Sequence, residues 1–271
     1  MNDEQLVADA HRLMSAFDVD LTCDEAGHPD GHACLAISET TDLDSLVRTF
    51  SRRNGASWAD IPDLPFGDWT HAWVRFRRMV LLGRAPSGRP LMAVTERNLP
   101  SPDELPPEPS WLERLVAITG GAPSPVPAPD WTAIESRLGV PVPSDYKRLV
   151  ETFGCDGMFD LFFRVFDPDE LILNADDGSS LDDEHPPFPA PGSLLPWSNN
   201  EHQEWFFWIT EGRDPDRWPL YAIDSLGAGS RFECTATEFL FRQMTDPDHP
   251  FFSQADHVRG HWFLKYVRPE T

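Results

Sequence analysis

Cys23, His28, His32 and Cys34 are the one cluster of this chain whose residue types could hold a metal ion. Thiolate sulfur and imidazole nitrogen suit zinc, and structural sites draw them in short pairs such as C-x₂₋₄-C with H-x₃₋₅-H. His28 and His32 satisfy the histidine half, but ten residues separate the two cysteines. The spacing therefore departs from the paired pattern. The cluster reads as a satisfied or solvated loop, with no metal and no cofactor. A second candidate, Leu173 to Glu184, sets Gly178 six residues before Glu184, as an EF-hand would. With Gly178 at the sixth position, Leu173 and Ala175 fall where calcium needs oxygen ligands, so the match fails. Cys155 could be a nucleophile only if a cation or a helix N-terminus favoured its thiolate. It instead follows a helix-ending glycine, Gly154, and precedes Asp156. The chain has no G-x-S-x-G, H-E-x-x-H, P-loop or dinucleotide fingerprint. No catalytic residue is assigned, and the expectation is a protein that is not an enzyme.

Charge narrows the partners. The 271 residues include 45 acids and 22 bases, a net charge of −23. Up to Gly120 there are 19 acids and 11 bases, and beyond it 26 and 11, so the second half holds most of the excess. Nucleic-acid affinity comes largely from cations that neutralise phosphates, which excludes nucleic acid as the expected ligand. A basic protein would be steered toward such a surface. No run of 18 apolar residues is present, so no membrane partner is expected. The acidic start, MNDEQLVADAHRLM, lacks the basic and apolar regions of a secretory signal. With four scattered cysteines it points to a reducing, cytoplasmic setting.

The elements divide the chain. Helical spacing predicts helices over residues 2–17 and, behind Thr41, over 42–53. A short strand is read at Cys34 to Ile37, and a hairpin from Trp69 to Thr95 with its turn at APSGRP. Ser110 and Glu113 form a capping box for a further helix. The segment GGAPSPVPAPD, residues 120–130, has four prolines and two glycines and reads as a linker. It separates an N-terminal domain, 1–119, from a C-terminal one, 131–271. The second begins with two helices, Trp131 to Leu138 and one capped by Ser144, closed by Gly139 and Gly154. An apolar strand, Met158 to Phe166, follows, and Leu171 to Leu173 continues it. A long acidic Pro/Gly-rich insertion reads as mobile. Trp205 to Ile209 is too apolar throughout to face water on either side, so it reads as a central strand. Further strands are expected at 219–224 and 230–234, a capped helix from Thr235 to Met244, and an edge strand at 261–267. The fold class is α+β, with a largely antiparallel sheet and packed helices in the C-terminal domain and a small α+β domain before it.

The words Trp131, Ile134-Glu135, Leu138-Gly139, Val142-Pro143-Ser144-Asp145-Tyr146-Lys147 and Gly154, in this order, resemble the start of the SUKH superfamily. Leu195-Pro196-Trp197, Trp208, Trp218-Pro219 and the Thr235 to Leu240 helix are similar to its later landmarks, so the resemblance covers residues 128–245. It implies a mixed sheet with packed helices. It also implies a non-catalytic role, since the superfamily holds bacterial immunity proteins against secreted toxins and a fungal cell-wall-assembly regulator. The leading expectation is an immunity protein that binds a basic cognate toxin domain, itself a monomer or a weak homodimer. The alternatives are an intracellular regulatory scaffold of the SUKH type and a hydrolase with its site in the N-terminal half. For the contact face the candidates are Glu135, Asp156, Asp160, Asp176, Asp177, Glu201 and Glu204, with Trp197 and Trp205 as aromatic anchors. Trp131 and Tyr146 are read as packing residues.

Overall fold

The computed structural model describes residues 3–16, 19–55, 57–58, 61, 63–97, 109–120, 127–154, 157–175, 184–251, 253–258 and 260–265. It has the expected α+β class. The chain forms two compact units, one of residues 1–104, 116–124 and 258–271, the other of 105–115 and 125–257. The tail, expected with the C-terminal domain, is grouped with the first unit, and the edge strand expected in it is present over Phe263–Lys265. Buried Arg97 donates to the His261 carbonyl at 3.0 Å, and Trp262 packs on Phe76 with ring centroids 4.3 Å apart. The division falls inside helix α3 (Trp111–Thr119), whose Ser110–Glu113 capping box is present as expected.

In the first unit, strands β1 (His32–Leu35), β2 (Asp68–Arg75), β3 (Arg78–Arg84) and β4 (Pro90–Glu96) form an antiparallel sheet in the order β1-β4-β3-β2. Helices α1 (Asp3–Ser15) and α2 (Leu43–Asn54) turn their apolar stripes onto one face. Leu6, Val7, Ala10, Met14, Leu46 and Phe50 pack there against Trp73, Val80, Leu82, Met92 and Val94. Asp42 rather than Thr41 caps α2, accepting from the Asp44 amide. The expected hairpin is a three-strand meander. A two-residue turn at Phe76-Arg77 splits its first arm, with Phe76 at φ 55°. No Gly, Asn or Pro announces that turn, which is why the sequence reads as unbroken strand. At Gly83 a Cβ would lie 2.0 Å from the Asp68 carbonyl oxygen, so only glycine fits beside the β2 bulge. On the opposite face Phe66, Leu91 and Ala93 form a smaller cluster.

The second unit contributes six strands in sequential antiparallel order: β5 (Gly157–Phe159), β6 (Phe163–Val165), β7 (Leu194–Asn200), β8 (Trp205–Ile209), β9 (Leu220–Ile223) and β10 (Gly229–Phe232). One face carries Trp197, Phe206 and Trp208 toward the helices. Tyr146 of α5 (Ser144–Phe153) meets Trp208 edge-on, and Phe239 of α7 (Ala236–Thr245) meets Phe206. The residues of the SUKH-like words hold this layer together. The Tyr146 hydroxyl donates to the Phe166 carbonyl at 2.5 Å, and Asp145 accepts from the Thr237 amide in the first turn of α7 at 3.0 Å. Lys147 pairs with Glu135 at 2.6 Å. Helix α4 (Trp131–Leu138) has the expected Asp130 cap and a left-handed Gly139.

Three readings of this unit change. Ser144 starts α5 but does not cap it; its amide donates to Asp216 at 2.6 Å. The single strand expected over 158–166 is two short ones, because Asp160 and Leu161 take positive φ of 55° and 56° and turn the chain. Leu171 to Leu173 is not a strand. It belongs to helix α6 (Pro168–Leu173), which Asp167 and Glu170 open with a capping box and a proline at its start. Part of the acidic insertion, 176–183, lies outside the described residues. Its proline-rich remainder is fixed: the Gly192 amide donates to the Thr210 carbonyl and the Thr210 amide to the Ser193 carbonyl, both at 2.9 Å, and the Ser193 and Thr210 hydroxyls meet at 2.8 Å.

Candidate functional site: the turn end of the second sheet

Strand register gathers three turns at one end of the second sheet. Phe163 pairs with Asn200, and Trp205 pairs with Ile223. The β5–β6, β7–β8 and β9–β10 turns therefore share that end, and the Glu201 amide donates to the Phe162 carbonyl at 3.1 Å. The β7–β8 turn presents Glu201, His202 and Gln203 in the open. The β9–β10 turn is built by Asp224, whose carboxylate accepts from the Leu226 amide at 2.9 Å and the Ala228 amide at 2.8 Å. That short-range bonding holds the backbone in place and leaves Leu226 at its tip 92% exposed.

Behind the turns the charge is sheltered. Glu204 is 7% exposed and accepts from Asn200 Nδ2 at 2.6 Å. Burial pushes its carboxyl above the usual range, and Asp224 adds to this, while the Asn200 bond and His202 pull the other way. Asp160 is 6% exposed within its turn. Trp205 is half-buried, stacked on Phe207 and edge-on to Phe166.

The Cys23, His28, His32 and Cys34 side chains also come together, in the first unit, so of the satisfied or solvated loop that their spacing suggested it is the solvated form that does not hold. Cys34 Sγ and Cys23 Sγ lie 3.3 and 3.5 Å from His28 Nδ1, and His32 Nε2 lies 3.3 Å from it. Burial and then Cys23 push the Cys34 thiol up to about 12. The sequence distance between the cysteines misled because strand β1 closes it: His32 and Cys34 alternate along β1 and project to the same face, while the loop before β1 folds Cys23 and His28 back over them.

No family model, curated protein or solved structure matches this chain.

Of the contact residues read from sequence, the turn end gathers Asp160, Glu201, Glu204 and Trp205, and only Glu201 among them is fully exposed. Trp197 is not a surface anchor. It sits at a bulge between Pro196 and Ser198 that aims its ring into the helix-covered face, stacked on Trp208 and 0% exposed. Glu135 is committed to structure, since besides Lys147 it accepts from the Val142 amide at 2.9 Å. Asp156, Asp176, Asp177 and Cys155 lie outside the described residues. The sequence reading missed Asp224 and Leu226. A lone leucine inside the turn sequence DSLGAGS was the available signal, since nothing in a glycine-rich turn requires an apolar side chain.

Proposed function

We propose that this chain is a non-catalytic binding protein, an immunity protein of the SUKH type that neutralises a cognate toxin by occluding it. Its contact surface is the turn end of the second sheet, and the toxin domain it meets is basic. The observation that carries this reading is Leu226: a fully presented apolar side chain on a turn with a fixed backbone, at the same sheet end as exposed Glu201 and half-exposed Asp224. An apolar anchor at a sheet end that also carries acids suits a basic partner, the leucine giving affinity and the acids giving rate and orientation. A pre-ordered turn also loses little entropy on binding. The SUKH-like words support the family assignment, and their residues serve as scaffold, leaving the loops to define the partner.

The test is co-expression with the toxin encoded by a neighbouring gene, followed by survival and affinity measurement. The intact protein should rescue growth and form a complex. Leu226→Asp should weaken binding by at least about 30-fold, the effect of losing a hot spot of about 2 kcal/mol. Its melting temperature should not move, because the side chain contacts so little. Unimpeded killing with no complex would sink the immunity reading, and full rescue by Leu226→Asp would move the surface elsewhere.

A further inference from the structure

We propose that Cys23, His28, His32 and Cys34 form a structural zinc site on the back of the first sheet. Their four ligand atoms all lie within 4.8 Å of one another. With zinc–sulfur bonds of about 2.3 Å and zinc–nitrogen bonds of about 2.05 Å, a tetrahedron has nitrogen–nitrogen edges of about 3.3 Å and nitrogen–sulfur edges of about 3.5 Å. The edges found are 3.3 Å from His28 Nδ1 to His32 Nε2, and 3.5 and 3.3 Å from His28 Nδ1 to the two sulfurs.

Hydrogen bonding alone accounts poorly for this arrangement. His28 Nδ1 has one proton or one lone pair, yet three polar atoms converge on it. A cation at the centre satisfies all four groups at once. Two thiolates and two imidazoles are the donor set that zinc takes in closed sites, and four protein ligands leave no open position for chemistry. The rings are also held from outside. His32 is bonded to the Pro29 carbonyl, and Glu25, which Arg89 grips at 3.0 and 3.2 Å, stands 3.8 Å from His28 Nε2, near it but beyond hydrogen-bond reach. Such outer partners orient metal-binding imidazoles and fix which nitrogen faces the ion. Phe66 packs against both rings, with centroids 4.2 Å from His32 and 4.6 Å from His28. His32 is 2% exposed, so the site is built into the fold and is no surface coincidence.

The pattern is C-x₄-H-x₃-H-x-C, with its last two ligands on an edge strand and its first two on the loop before it. Zinc there would staple that loop to β1 and close the sheet face that α1 and α2 leave open. The site takes no part in the contact surface proposed above, so the two proposals stand or fall separately.

The test uses the full chain produced with zinc chloride in the medium, then desalted and assayed for metal. The expected result is about one zinc per chain. His28→Ala and Cys34→Ser should each weaken zinc binding by at least about 100-fold, the upper end of what outer-partner changes cost. Cys234→Ser, a free thiol in the other unit, should leave it unchanged. Because those variants could also misfold, cobalt(II) replacement of zinc in the wild-type protein gives an independent reading. Intense tetrahedral d–d bands with sulfur-to-cobalt charge transfer support the site. A weak octahedral spectrum, no retained zinc, or a Cys23–Cys34 disulfide in the freshly purified protein would overturn it.

Discussion

The two units solve one problem differently. Each lays helices on one face of an antiparallel sheet and must then deal with the other face. The second unit closes its back with aromatic and aliphatic area: Leu194, Phe207, Ile209 and Ile223 are buried, with Trp205 and Tyr221 packed around them. The segment 184–193 is bonded to the end of β8 through Ser193 and Thr210, and it lays His185 against Tyr221. The first unit buries less there, Phe66, Leu91 and Ala93, with Leu64, Trp69 and Ala85 packed around them, and next to them it places two thiols and two imidazoles. A small apolar cluster gives little hydrophobic stabilisation, since that scales with area removed from water. Where the area runs short, a cross-link is the usual supplement. The difference teaches that similar layers do not imply similar sources of stability.

The largest expected effect tests this directly. Phe207 is 0% exposed at the centre of the second unit's back cluster. Phe207→Ala should cost about 3–5 kcal/mol, the range for deleting a buried aromatic ring. Phe66→Ala in the zinc-loaded protein should cost about 1–2 kcal/mol less, because the smaller cluster collapses around the gap while the metal holds the loop. Denaturant unfolding of both variants checks this. After chelation the Phe66 variant should lose its advantage, and equal costs in every state would erase the distinction between the two backs.

Much of this architecture was legible in the sequence because it rests on local rules. The caps at Asp130, Ser110 and Thr235, the stops at Gly139 and Gly154, and the apolar run of β8 all act within a few residues. What was not legible needed tertiary information. The turns at Phe76 and at Asp160-Leu161 put non-glycine residues at positive φ, a cost that only the surrounding sheet can offset. Trp197 looked like an anchor because a tryptophan beside a proline carries no mark of direction. A bulge, invisible in sequence, decides which way it points. The closeness of the Cys/His side chains escaped for a related reason: spacing rules assume metal-binding residues on adjacent turns, whereas here strand alternation and a returning loop bring the four together. The buried state of Asp160 and Glu204 likewise depends on three turns meeting, which composition cannot show.

A middle-sized effect compares the two helix-covered faces through their buried tryptophans. Trp73 and Trp197 are both 0% exposed. Trp73 Nε1 donates to the Gly55 carbonyl at 3.1 Å, whereas Trp197 Nε1 has no hydrogen-bond partner among the described residues. Phenylalanine removes the indole nitrogen and some volume at either site. At position 73 it also strands a carbonyl, while at 197 it relieves an unpaired donor. Trp73→Phe should therefore cost about 1–2 kcal/mol more than Trp197→Phe, the penalty of an unsatisfied buried polar group. Equal costs by denaturant unfolding would mean that volume alone governs both faces.

The smallest effect is electrostatic and belongs to the second unit. The Glu204 carboxyl is raised above its ordinary value of 4.5, chiefly by burial and further by Asp224, against the lowering influence of Asn200 and His202. A raised pKa in the fold means the folded state binds the proton more tightly than the unfolded chain does. The associated stability is fully present below the unfolded value and is lost as pH rises through the folded one. Above the folded value the wild type therefore carries a buried charge that Glu204→Gln does not, and the glutamine oxygen can still accept from Asn200 Nδ2. The variant should be the more stable of the two there. Its advantage should shrink as the pH falls through the folded value toward 4.5 and disappear below it, read from unfolding curves across that range. Parallel curves for the two proteins would show that water reaches Glu204 and that the turn end is more open than its packing implies.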